Sequence, residues 1–144
     1  MPRRSKSDEL LDFEIAFYKK LLAAYPDFID VLTPLGNAYT RLGLYEKGLQ
    51  IDLRLIQLRG TDPLTWYNLA CSYSLLHRVD DSMHALRRAI ELGYNDLEYL
   101  QRDPDLVNMR RSSKYREFLE SFAALTRAGS GSSGTAPPQP PHAG

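Results

Sequence analysis

Residues 29 to 62 repeat in residues 63 to 96, and that repeat restricts the possible folds more than any other feature of the chain. Adding 34 to each number carries Leu32 onto Trp66, Leu35 onto Leu69, Gly36 onto Ala70, Tyr39 onto Tyr73 and Leu42 onto Leu76. The second half of the unit follows suit, with Gly48 on Ser82, Leu55 on Ala89, Ile56 on Ile90 and Leu58 on Leu92. Large residues meet large ones and small residues meet small ones. A fixed period of this length marks a stacked array whose units bury their apolar faces against one another. Within each unit the apolar residues recur at steps of three and four, which predicts two amphipathic helices. Gly36, Ala70, Gly48 and Ser82 are small enough for two antiparallel helices to approach closely.

Turn chemistry separates the predicted helices. Leu42-Gly43-Leu44 and Leu76-His77-Arg78 interrupt the two units, and Gly60-Thr61-Asp62-Pro63 divides them. Asp62 followed by Pro63 predicts an N-cap and a first helical residue. Gly60 and Gly93 stand where a helix end would call for a left-handed residue. Pro34 lies well inside the first whole unit. That helix is therefore kinked there, or it starts late with Thr33 as N-cap and Pro34 as its first residue.

The run Trp66-Tyr67-Asn68-Leu69-Ala70, with Tyr73 and Ala89 after it, resembles the tetratricopeptide repeat and its W-x-x-L-G/A-x-x-Y pattern. The resemblance implies an all-α fold: a right-handed solenoid of antiparallel helix hairpins closed by a C-terminal capping helix. It divides the domain at 10–127 into a partial repeat 10–28, whole repeats 29–62 and 63–96, and a cap 97–127. In the partial repeat Tyr18 and Leu21 take core positions and Pro26 a frequent proline position, while Glu14 stands where the family has a small residue. Trp66 is expected to pack between the helices of its own hairpin and against its neighbour. In the closing segment Asp103-Pro104 stops a short helix. Ser112 or Ser113 then caps a last one, Lys114 to about Thr126, with Tyr115, Phe118, Leu119 and Phe122 on one face. Residues 1–9 and the Gly-, Ser- and Pro-rich stretch 128–144 are expected to be disordered, since neither can bury enough apolar surface.

Composition excludes several function classes. Lys plus Arg and Asp plus Glu both number 18, so the formal net charge is zero and the basic field of a nucleic-acid binder is missing. No run approaches a membrane span, and Asp8 and Glu9 fall where a secretory leader needs apolar residues. The single cysteine, Cys71, forms no internal disulfide and suits a reducing compartment, so a cytoplasmic location is expected. His77 and His84 lack partners at metal-ligand spacing, and His142 lies in the tail. There is no phosphate loop, nucleophile elbow or metalloprotease helix. The sequence thus offers no catalytic residues and implies no metal or cofactor. It reads as a non-enzyme.

What remains is binding. In the tetratricopeptide family the first helix of each repeat lines a concave surface. Carried over by position, that surface takes Thr33, Asn37, Thr40 and Arg41 from one repeat and Tyr67, Asn68, Cys71, Ser74 and Leu75 from the next. The resemblance implies a scaffold or adaptor that holds a peptide or helical segment of another protein there. A C-terminal carboxylate clamp, known in some family members, finds its asparagines at Asn37 and Asn68 and an arginine at Arg102. Its two lysine sites hold Thr33 and Glu98 instead. A second reading makes the chain a self-associating structural or assembly subunit, a homo-oligomer formed through an exposed stripe of Phe13, Phe17 and Leu21. Arg87-Arg88 and Arg110-Arg111 read as solvated helix charges. Pro137-Pro138-Gln139-Pro140-Pro141 reads as a passive tail or as a polyproline ligand for another domain.

Overall fold

Helix follows helix along the chain, each joined to the next by a short turn. The computed structural model describes residues 4–129, with side chains as far as Phe122. The expected disorder of residues 1–3 and 130–144, the Pro-rich segment included, lies outside the described residues. Five longer helices come first: α1 (Lys6–Ala24), α2 (Ile29–Arg41), α3 (Tyr45–Leu58), α4 (Pro63–Leu75) and α5 (Val79–Glu91). A short helix α6 (Leu97–Leu100), a 3-10 turn (Pro104–Leu106) and a short helix α7 (Val107–Arg110) lead into α8 (Ser113–Gly129). Consecutive helices pack on one another from α1 to α5, and α4 also carries the 3-10 turn and α7.

The repeat is visible in the turns. After α2 the Leu44 N–H donates to the Tyr39 carbonyl at 2.9 Å, and after α4 the Arg78 N–H donates to the Tyr73 carbonyl at the same distance. After α5 the Tyr94 N–H repeats the bond to the Ala89 carbonyl. Each closure needs a residue at positive φ, supplied by Gly43 (77°), His77 (59°) and Gly93 (113°). Gly60 does not serve this way. Arg59 ends α3 at φ −138°, and Gly60 is small because a Cβ there would lie 2.8 Å from the Ile56 carbonyl oxygen. The small positions of the hairpins act as their spacing predicts. A Cβ on Gly36 would meet Ile51 at 3.1 Å, and Ser82 is buried with its hydroxyl donating to the Ala70 carbonyl at 2.7 Å.

Several boundaries differ from the sequence reading. α1 begins at Lys6 rather than residue 10, because the Ser5 hydroxyl accepts the Asp8 N–H and two acids occupy the positive end of the helix. α2 begins at Ile29 without a side-chain cap and continues past Pro34 to Arg41, so Thr33 is not its N-cap. Pro34 withholds the single N–H that would have bonded Asp30, near an exposed helix start where that loss is small. At the other end α8 continues to Gly129, past the expected boundary at 127, and Ser112 rather than Ser113 accepts the Tyr115 N–H.

The larger core joins Leu69, Ala70, Leu86, Ala89 and Tyr94 of the second repeat to Leu100, Leu106, Met109, Tyr115 and Phe118 after it. Trp66 packs against this core but is only half-buried, its indole N–H donating to the Gly60 carbonyl at 2.8 Å. The fully buried aromatic of that helix turn is Tyr67. A smaller core of Leu11, Ile15, Leu35, Ala38 and Tyr39 holds α1 on α2. The outer face of α1 exposes Leu10, Phe13 and Phe17; Leu21, expected in that stripe, is half-buried, and Leu10 takes its place. No helix among the described residues is long and apolar enough to cross a membrane.

Candidate functional site

A cleft of about 180 Å³ opens between α2, α4 and the segment that returns after α5. Six of the nine groove residues expected from the sequence line it: Asn37 and Thr40 on α2, and Tyr67, Asn68, Cys71 and Leu75 on α4. Thr33 and Arg41 are exposed on α2 and lie outside the cleft. Ser74 is fully buried under α7, its carbonyl accepting from the Asn108 side chain at 2.9 Å and its hydroxyl from the Met109 N–H at 3.1 Å. Nothing of Ser74 is left for a partner.

Tyr67 and Asn68 divide the work differently from the reading by position. Asn68 and Asn37 are exposed at the rim, and among the described residues no hydrogen bond takes up their side-chain amides, which can donate and accept. Tyr67 is 5% exposed, stacked on Tyr94 with ring centroids 4.2 Å apart, and its hydroxyl donates to Asp103 Oδ2 at 2.6 Å. It forms the wall of the cleft and cannot swing out as an anchor. Burial, reinforced by Cys71 and Asp103, pushes its phenol far above the ordinary range. Tyr94 is likewise pushed up to about 12, chiefly by burial.

The chemistry of the cleft comes from residues that repeat arithmetic does not reach. Asp103 and Asp105, from the returning segment, and Asp52, from α3, all line it, and so does Tyr99. Asp103 is 3% exposed. Its Oδ2 accepts from Tyr67 and from the Cys71 thiol at 3.7 Å, and its Oδ1 accepts the Asp105 N–H at 3.0 Å, starting the 3-10 turn. Asp52 is buried and accepts from the Ser72 hydroxyl. Loss of solvent raises its carboxyl to about 6, against a smaller lowering by that hydrogen bond. Burial, then the neighbouring Asp103, also raises Asp105. Asp103 is the first cause of the raised Tyr99 phenol. Among the described residues neither Lys nor Arg lines the cleft.

Cys71 Sγ and one oxygen each of Asp103 and Asp105 lie within 4.8 Å of one another, a donor set with the composition of a metal site. Burial, then the field of Asp103, pushes the Cys71 thiol well up. Its S–H donates to Asp103 Oδ2 at 3.7 Å. The charge sign tells against a carboxylate clamp. Asn37 and Asn68 do face one cleft, but three aspartates beside them repel a partner's carboxylate, and Arg102 stands outside the lining with its guanidinium 6.0 Å from the Tyr99 ring centroid. Asp52 was legible as a polar residue on an apolar helix face, in step with Leu49 and Leu55. The contribution of the returning segment had no such signal.

No family model matches the chain. Its relatives include a chloroplastic protein of Arabidopsis thaliana, to which it is 32% identical over 93 residues, 60% of the chain. Over 111 residues, 77% of the chain, it is 23% identical to the TPR repeat-containing protein MJ1428 of Methanocaldococcus jannaschii. The matches span 27% and 18% of those longer proteins. The second name agrees in kind with the 34-residue helical hairpins among the described residues.

Proposed function

We propose that this chain is a non-enzymatic scaffold or adaptor module, a right-handed tetratricopeptide-type solenoid closed by residues 97–127, that binds a peptide or helical segment of another protein on its concave face. The observation that carries the reading is the cleft between the first helices of successive repeats, with the free amides of Asn37 and Asn68 on its rim. Side-chain amides at that position bracket the backbone of an extended segment, donating to its carbonyls and accepting from its N–H groups. The free thiol of Cys71 suits action in a reducing compartment such as the cytoplasm.

Pull-down from the native cell tests this. The double variant Asn37→Ala and Asn68→Ala is expected to lower partner recovery at least about tenfold, as loss of several hydrogen bonds does. Its melting temperature is expected to hold, since both residues are exposed. Tyr67 is unsuitable for this test because its removal would damage the cleft wall itself. Partner capture that survives the double variant but is lost on substituting Arg87 and Arg88 would move the binding surface to another face.

A second reading, self-association, is favoured by the outer face of α1, where Leu10, Phe13 and Phe17 stand 58%, 70% and 52% exposed. Three large apolar residues on one helical stripe form a patch that a second copy would cover. On this reading sedimentation yields a mass that rises with concentration, and Phe13→Ser with Phe17→Ser abolishes the rise. A monomer at every concentration eliminates it.

A further inference from the structure

The electrostatic character of the cleft identifies the partner's chemistry further. Asp52, Asp103 and Asp105 reach it from three separate elements: α3, the turn before the 3-10 helix, and that helix itself. Among the described residues the Asp105 carboxylate accepts no hydrogen bond and joins no ion pair. The ion pairs among the described residues are all elsewhere, on exposed helix faces and turns. Buried or half-buried carboxylates are ordinarily paired, and among the described residues no Lys or Arg lines the cleft; the nearby Arg110 guanidinium donates to the carbonyls of Leu100 and Asp103, not to a carboxylate. The space is side-chain sized: about 180 Å³, against roughly 150 Å³ for a protein cavity that takes up benzene. Tyr99, 41% exposed, adds an aromatic wall at the mouth; aromatic faces attract cations, and Arg102 already lies over its ring, 6.0 Å from the centroid. Asn37 and Asn68 on the rim leave the main chain of a bound segment outside while one side chain enters.

We propose that this cleft receives a basic side chain, arginine or lysine, from the partner polypeptide, with Asp105 and Asp103 as its counter-charges and Tyr99 against its flank. The inference rests on the groove reading above and adds to it the residue class the groove selects. Asp105 is the main contact because its oxygens are unoccupied, whereas those of Asp103 already accept from Tyr67, Cys71 and the Asp105 N–H.

Amide chemical shifts of the full chain test the cleft directly, with Nα-acetyl-arginine methylamide as probe. Capped arginine and capped lysine are expected to move the signals of Asn68, Cys71, Tyr99 and Asp105, while capped citrulline, similar in shape but uncharged, leaves them in place. Asp105→Asn is expected to weaken the arginine effect by about tenfold, the loss of a charge-assisted contact, with an unchanged or higher melting temperature. Equal shifts from arginine and citrulline, or none from either basic probe, overturn the inference. So does micromolar saturation by zinc or calcium chloride alone that displaces the arginine probe, since the occupant would then be a metal ion. Random decapeptides selected to bind the native protein but not the Asn37→Ala, Asn68→Ala variant separate the two readings. Enrichment of Arg or Lys at one fixed position supports both. Groove-dependent peptides without a basic position overturn the cleft inference and leave the groove intact. If selection returns no groove-dependent peptide, both readings fall.

Discussion

Replacing Asp103 with alanine is expected to destabilise the protein by about 3–5 kcal/mol, the upper range for a single substitution. Three losses combine. The Tyr67 hydroxyl, on a residue only 5% exposed, is left without its acceptor, and a buried unsatisfied donor costs about 1–3 kcal/mol. The Asp105 N–H loses its N-cap, worth about 1 kcal/mol. The Cys71 thiol loses its contact, and the side-chain volume at a 3% exposed position becomes void. Asp103→Asn keeps the volume and one acceptor oxygen but must turn its amide N–H₂ toward a donor, so about half the loss is expected. Urea denaturation of both variants checks the order. The hydrogen-bond pair is isolated by a cycle with Tyr67→Phe, in which the double variant should be more stable than the sum of the single losses predicts. A cost below about 1 kcal/mol for Asp103→Ala would mean that the returning segment is not anchored through this residue.

Asp52 should behave in the opposite way. Its carboxyl is raised from 3.8 to about 6 by burial. The unfolded chain ionises this group near 3.8, whereas the folded chain holds its proton until about 6. Between those values the folded state therefore binds more protons, and stability rises as pH falls from about 7 toward 4. A shift of this size corresponds to about 3 kcal/mol at 1.36 kcal/mol per pH unit. Asp52→Asn removes the buried charge while its amide oxygen still accepts from Ser72, so a gain of about 2–3 kcal/mol at pH 7 is expected. Much of the acid-side rise should vanish in the variant; a remainder persists because Asp105 is raised in the same sense. Equilibrium unfolding at pH 4.5 and 7 measures both effects. A native protein equally stable at the two pH values, or an asparagine variant no more stable at pH 7, would place Asp52 in a wetter setting than its burial indicates. The same substitution removes one of the cleft's three carboxylates. The position would then be one where stability is given up for charge, the usual pattern at a binding site.

The 34-residue register by itself determined most of the hairpin architecture. It placed the helix pairs, the close approaches at Gly36 with Gly48 and Ala70 with Ser82, and the equivalent turns at Gly43 and His77. These are decided by contacts between residues near in sequence, where helical period and turn chemistry suffice. The family resemblance also named Asn37 and Asn68, which do share one cleft. Only the tertiary structure decided what that cleft is made of. Position in the repeat made Tyr67 and Ser74 surface residues, but the segment after Gly93 folds back over α4 and buries both. Asp103, 36 residues from Tyr67, and Asp105 beside it enter the site through that return. The segment departs from the period, so adding 34 leads to nothing there. Its path is set by long-range burial of Leu100, Leu106 and Met109 against the last hairpin, and apolar burial is non-directional: the sequence shows that those residues must be covered, and only the packed chain shows by what.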